Sequence, residues 1–146
     1  MENKPRILVV EGDVVLAQTL ASVLKTNGYD VGTARNSEEA IEYMRKRRVE
    51  LVFIDSKVFV TRGAEIYERI NETRPDVEVV VMMDSHLSRG RLRDIMRQGL
   101  WAPLCKPFTI DELLAVVESY TRFRAAALVI PVVHRHSQWV PDQKAA

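Results

Sequence analysis

Ile7-Leu8-Val9-Val10-Glu11-Gly12-Asp13 couples a short apolar run to a polar turn, and Leu16, Leu20, Val23 and Leu24 follow before Asn27-Gly28. The run is continuous and largely β-branched, the pattern of a strand covered on both faces. The residues after it recur at helical spacing. Asn27-Gly28 is a helix-ending pair, because both residues tolerate the backbone that satisfies terminal carbonyls. One strand and one helix are thus complete by Gly28.

The same unit repeats along the chain. Tyr29–Ala34 reads as a second strand. Asn36-Ser37-Glu38-Glu39 is a cap with acids in the first turn, leading Ala40, Ile41 and Met44 along one helix face. Arg45-Lys46-Arg47-Arg48 closes that helix, where cations complement the dipole. Leu51–Ile54 is a third strand, and Ile66 and Ile70 mark a helix ended by Arg74-Pro75. Val77–Met83 is a fourth strand, and Leu92, Ile95 and Met96 share a helix face before Gly99. Leu100–Cys105 is a short fifth strand, and Leu113, Leu114, Val116, Val117 and Tyr120 stripe a last helix. Strands alternating with helices imply βαβ units. The predicted fold is α/β: a flavodoxin-like, doubly wound, five-stranded parallel sheet with five helices.

The sequence has 146 residues and a formal net charge of +1, from 21 Lys and Arg against 20 Asp and Glu. Nucleic-acid binders draw most of their affinity from basic excess, so no nucleic-acid partner is expected. The balance is uneven: residues 1–121 hold 17 basic and 19 acidic residues, whereas residues 122–146 hold 4 and 1. The predicted organisation is one domain over 1–121 and a basic extension over 122–146. From Ala125 that extension either continues the last helix as far as Pro131 or forms an extended segment. Cys105 is the only cysteine, which excludes an intrachain disulfide and a cysteine-built zinc site. His134 and His136 without further ligands make a poor metal site. The apolar run Ile7–Val10 is too short for a signal-peptide core, and Ala125–Val133 falls well below the roughly 20 residues of a membrane-spanning helix. No membrane association and a cytoplasmic address are expected.

Ligands of such sheets bind outside the carboxyl ends of the strands. The residues there are Glu11, Gly12 and Asp13 after the first strand, and Asp55 after the third. Asp84 and Ser85 follow the fourth, and Lys106-Pro107 the fifth. Three acidic strand ends facing a lysine form a chemical constellation. A glycine-rich dinucleotide turn is absent from Glu11-Gly12-Asp13. An aspartate-based phosphatase would want a second acid where Lys57 stands. A small flavodoxin-like hydrolase or nucleotide-binding protein is therefore a remote alternative.

Over about Arg6–Ser119 the chain resembles the receiver domain of two-component response regulators, of the chemotaxis-regulator kind. The resemblance is carried by Val9-Val10-Glu11, Asp55, Gly63, Gly99 and Lys106-Pro107-Phe108 in their strand order. It implies a phosphorelay signalling protein rather than an enzyme, beyond self-catalysed phosphoryl transfer onto Asp55. It implies that Asp55 is the phosphoacceptor, that Lys106 is the phosphoryl-binding cation, and that acids after the first strand hold Mg²⁺. It also implies a cis Lys106-Pro107 peptide and a histidine kinase or phosphotransfer protein as phosphodonor. A downstream protein partner is implied as well, as is a signalling and dimerisation face made of the fourth helix, fifth strand and fifth helix. Arg89, Arg93 and Arg97 would stripe that fourth helix, with Arg91 and Asp94 nearby, and Trp101 would begin the adjoining strand.

The chain departs from the family pattern at the site itself. Gly12 stands where a second acid is usual, leaving a weak Mg²⁺ site of Glu11, Asp55 and, one residue late, Asp13. Asp13 also suits the N-cap of the first helix. Asp84 occupies the position of the switch Ser or Thr, and Val58-Phe59 replaces the usual methionine-proline. Ser85 adjoins Asp84, but a one-residue shift along a strand turns a side chain to the other face. Lys57 is either a solvated loop lysine or a substitute for part of the metal's charge. A pairing of Asp84 with Lys106 would hold that lysine away from a phosphoryl group. Asp84 would also repel the group, by about 4 kcal/mol for like charges ~4 Å apart at an effective dielectric near 20. The expectation is an atypical receiver with weakened, Mg²⁺-dependent phosphorylation that acts through protein contacts. The alternative is a fully phosphorylatable single-domain receiver switched at Asp55.

Overall fold

Alternation within each strand divides the apolar residues between two layers. Leu8 and Val10 of β1 (Arg6–Val10), with Val52 and Ile54 of β3 (Leu51–Asp55), face one layer; Ile7, Val9, Leu51 and Phe53 face the other. Both layers are covered by helices, so these strands are buried along their whole apolar length. The computed structural model describes residues 4–73, 76–84 and 102–129, with residues 90, 93 and 97 between the last two stretches. The other elements are α1 (Val14–Thr26), β2 (Asp30–Ala34), α2 (Ser37–Lys46), α3 (Ser56–Thr73), β4 (Glu78–Met83), β5 (Ala102–Cys105) and α4 (Ile110–Val129). Here α4 is the last helix of the sequence reading. All five strands are parallel, in the order β2-β1-β3-β4-β5. This is the flavodoxin-like arrangement expected from the periodicity.

The helix expected around Leu92, Ile95 and Met96 lies outside the described residues, apart from Gly90 and Arg93 in helical backbone. So do Ser85, Arg89, Arg91, Asp94, Trp101, the Arg74-Pro75 pair and residues 130–146. Among the described residues, no helix is long and apolar enough to cross a membrane.

Helix ends follow local chemistry. Asp13 caps α1, its carboxylate accepting from Leu16 N–H at 3.1 Å, and Asn36 caps α2 by accepting from Glu39 N–H at 2.9 Å. Gly28, with φ +90°, supplies the left-handed turn that ends α1. Thr109 and Glu112 form a reciprocal capping box at α4, with bonds of 3.0 and 3.1 Å. The Thr-x-x-Glu spacing at 109–112 is the sequence signal for this start, and it is absent from the expectations above only because the apolar stripe from Leu113 was what marked the helix. The helix then runs unbroken past residue 121 to Val129, so the described part of the segment from Ala125 is helical.

One strand position shows how closely the layers meet. Tyr43 of α2 lies over Gly32 of β2, and a Cβ built on Gly32 would overlap the tyrosine ring. Gly32→Ala is therefore expected to lower unfolding free energy by about 1–3 kcal/mol through overpacking. Urea denaturation of the two proteins reads this directly. Equal midpoints would show that Tyr43 leaves its seat at no cost.

Candidate functional site

The strand register sets the site. Val10 pairs with Ile54, so Glu11 and Asp55 occupy the next level at the carboxyl edge of the sheet. Met83 pairs with Cys105, so Asp84 and Lys106 follow together from the neighbouring strands. The ladder continues through the Lys106 N–H, which donates to the Met83 carbonyl at 2.8 Å. The Lys106-Pro107 peptide is cis, as the resemblance implied.

Lys106 joins the two most buried acids of the site. Its Nζ donates to Asp55 Oδ1 at 2.7 Å and to Glu11 Oε1 at 2.9 Å. Glu11 and Asp55 are each only 4% exposed. Ionised carboxylates at that depth require a cation and hydrogen bonds. Burial by itself lowers the Lys106 pKa, but hydrogen bonds and charge attraction from Asp55 and Glu11 outweigh it and raise the net value. The second Glu11 oxygen is also engaged, accepting from Asp13 N–H at 3.1 Å.

The remaining site residues separate from this bridge. The expected pairing of Asp84 with Lys106 does not form: Lys106 is taken by Glu11 and Asp55, which are buried more deeply. Asp84 instead meets Lys57 Nζ at 3.8 Å. Lys57 is solvated, but it stands in a helix rather than a loop. Here β3 runs straight into α3, because Ser56-Lys57-Val58-Phe59 contains neither Gly nor Pro, and Lys57 lies in the first helical turn. Ser56, which the sequence reading passed over, is buried and accepts from the Asp84 N–H at 3.1 Å.

The carboxylates at this edge are engaged by the protein itself. Both Glu11 oxygens and one Asp55 oxygen are committed, Asp13 caps α1, and Gly12 contributes no side chain. Among the described residues, no group of three or more His, Cys, Asp or Glu is arranged to hold a metal. Room for a further ligand is present, since a Cβ on Gly12 would meet only the Arg35 carbonyl, at 3.7 Å. Beside Lys106 an apolar groove of about 420 Å³ opens between α1 and the start of α4, lined by Leu16, Leu20, Val23, Phe108, Ile110 and Leu113.

Known proteins share this fold. The response regulator receiver domain family model matches residues 7–118. Transcriptional regulatory protein PdtaR of Mycobacterium tuberculosis is 29% identical over 121 residues, covering 82% of this chain and 58% of that protein. Sporulation initiation phosphotransferase F of Bacillus subtilis is 27% identical over 115 residues, covering 79% of this chain and 92% of the relative. The chain spans about half the length of several curated relatives it matches, 45% and 58% in two of them. Among solved structures, the receiver domain of a LuxO repressor protein from Vibrio parahaemolyticus superposes with a TM-score of 0.76 at 22% identity, covering 89% of this chain and 99% of that one. A response regulator from Burkholderia pseudomallei, with a phosphorylated aspartic acid, calcium ion and citrate, gives 0.69 at 26% identity, over 90% of this chain and 77% of its own. With a family match across nearly the whole sheet and its helices, the chain belongs to the response regulator receiver domain family, signalling modules of two-component systems rather than enzymes.

Proposed function

We propose that this chain is an atypical receiver in which Asp55 accepts a phosphoryl group slowly and with a weakened dependence on Mg²⁺. The observation that supports it is the Lys106 bridge to Asp55 and Glu11 beside a glycine where a second acid would stand. The donor is the phosphohistidine of a histidine kinase or phosphotransfer protein, or a small acyl phosphate. Asp55 Oδ1 is held by Lys106, which leaves Oδ2 as the attacking atom. The new O–P bond forms as the P–N bond to imidazole breaks, and the departing ring takes its proton from solvent. Lys106 remains beside the acceptor, where its ammonium neutralises charge on the transferring group. Lys57, paired with Asp84 at the rim, adds a second cation to the approach. The phosphorylated aspartic acid of the Burkholderia pseudomallei relative supports the acceptor assignment.

Output passes through protein contacts. The apolar groove beside Lys106, with the exposed Ile110 in its lining, suits a helical partner surface that brings a phosphohistidine to Asp55. A receiver dimer is known for the beryllofluoride-activated NtrC4 domain. For this chain the proposal is self-association through the face of the fourth helix expected from the sequence, β5 and α4.

The test is incubation with a small acyl phosphate and Mg²⁺, followed over time by intact mass. Slow, partial phosphoryl addition that disappears in Asp55→Asn is expected. Rapid stoichiometric addition would establish the fully competent receiver instead, and no addition at all would remove Asp55 as acceptor.

A further inference from the structure

Asp84 lies one residue beyond β4 and is tied to the start of α3 at two points. Its N–H donates to Ser56 Oγ at 3.1 Å, and its carboxylate meets Lys57 Nζ at 3.8 Å. Both partners follow Asp55 directly in the chain. The cause is local. The β3–β4 ladder ends at the Asp55–Met82 pair, and α3 begins at Ser56 with no loop between. No strand carbonyl is left to receive the Asp84 N–H, and the Ser56 hydroxyl stands in for one. The bond is partly buried, and there an unmet N–H would be costly. The ion pair is different in kind. The Lys57 side chain is 79% exposed, so the pair is screened by salt and weak by itself.

Asp84 brings a negative charge to the edge of a site that must admit a phosphoryl group. Released from its tie, its carboxylate would compete for Lys106 and repel the incoming group. We propose that Ser56 is a positioning residue: by fixing the Asp84 main chain it keeps the Asp84 carboxylate on Lys57 at the rim, away from the Lys106–Asp55 bridge that the phosphoryl group approaches. This role rests on Asp55 being the phosphoacceptor. It also gives the substituted switch position a part in the chemistry, as a charge held aside rather than a hydroxyl that follows the phosphoryl group.

The experiment compares the full chain with Ser56→Ala and with Ser56→Ala/Asp84→Asn in two measurements. Amide exchange by NMR is expected to show the Asp84 N–H about tenfold faster in Ser56→Ala, with the β3 and β4 amides unchanged. Phosphoryl addition from a small acyl phosphate is expected to slow about tenfold in Ser56→Ala and to return to within about threefold of the parent in the double variant. Exchange that quickens along all of β4 would make Ser56 a packing residue and overturn the proposal. So would an unchanged rate in Ser56→Ala, or a double variant as slow as the single one. If the parent itself takes up no phosphoryl group, the acceptor reading falls and the positioning role falls with it. Failure of the proposal alone looks different: the parent is modified and Ser56→Ala matches it.

Discussion

Lys106→Met is expected to destabilise the fold by about 2–3 kcal/mol at neutral pH and to slow phosphoryl addition by about 100-fold. The stability loss follows from what is left behind. Glu11 and Asp55 lie at the ends of adjacent strands, both nearly excluded from solvent, and Lys106 is the cation that joins them. Removing one partner of a buried pair leaves uncompensated charge at a cost of about 3–5 kcal/mol. The Lys106 side chain is 25% exposed, so water offsets part of that cost and the lower figure applies. The sign of the pH dependence follows from the raised Lys106 pKa. A lysine whose folded pKa exceeds its unfolded value contributes its full stabilisation below the unfolded value, and loses it as pH rises through the folded one. The difference between parent and variant should therefore be flat from neutral pH towards the ordinary lysine value of 10.5 and shrink above it. Urea titrations of both proteins at neutral and strongly alkaline pH measure this. A variant as stable as the parent at neutral pH would show that the two acids need no cation.

Gly12→Asp is expected to act in the opposite direction on function. Its Cβ has space, with the Arg35 carbonyl at 3.7 Å as the nearest neighbour. A third carboxylate beside Glu11 and Asp55 adds a hard oxygen ligand where the chain has none. We expect Mg²⁺ affinity to rise at least about tenfold, and the rate of phosphoryl addition to become steeply Mg²⁺-dependent. The same substitution should destabilise the metal-free protein by about 1–3 kcal/mol through like-charge repulsion, with added Mg²⁺ restoring the loss by mass action. Calorimetric Mg²⁺ titration and thermal unfolding with and without the ion report the two halves. Unchanged Mg²⁺ dependence would mean that Gly12 does not limit Mg²⁺ binding at this edge.

Legibility in the sequence varied from element to element, for physical reasons. Burial on both faces makes β1 and β3 uninterrupted apolar runs, and their positions were readable to within a residue. Periodicity likewise placed α1 and α2, and their caps were evident in Asp13 and Asn36. The start of α3 was not evident, because a strand that passes directly into a helix leaves no punctuating residue. The site was partly legible. Strand-end acids and a strand-end lysine belong at the ligand-binding edge of any such sheet, so the candidates emerged as a set. Their pairings did not. Whether Lys106 meets Asp84 or the Glu11–Asp55 pair depends on contacts across 51 and 95 residues of chain, which no local pattern encodes.

By itself, then, the sequence determined the order of the described strands and helices, the sheet edge where the candidate residues gather, and the presence there of Gly12, Lys57 and Asp84. Those are properties of periodicity and residue type, which act over a few neighbours. Only the tertiary structure decided that Lys106 neutralises the buried acids, that Lys57 faces Asp84, and that Ser56 replaces a missing ladder carbonyl. Charge pairing in a folded interior is settled by relative depth and by register between distant strands. Both come into being only when the sheet closes.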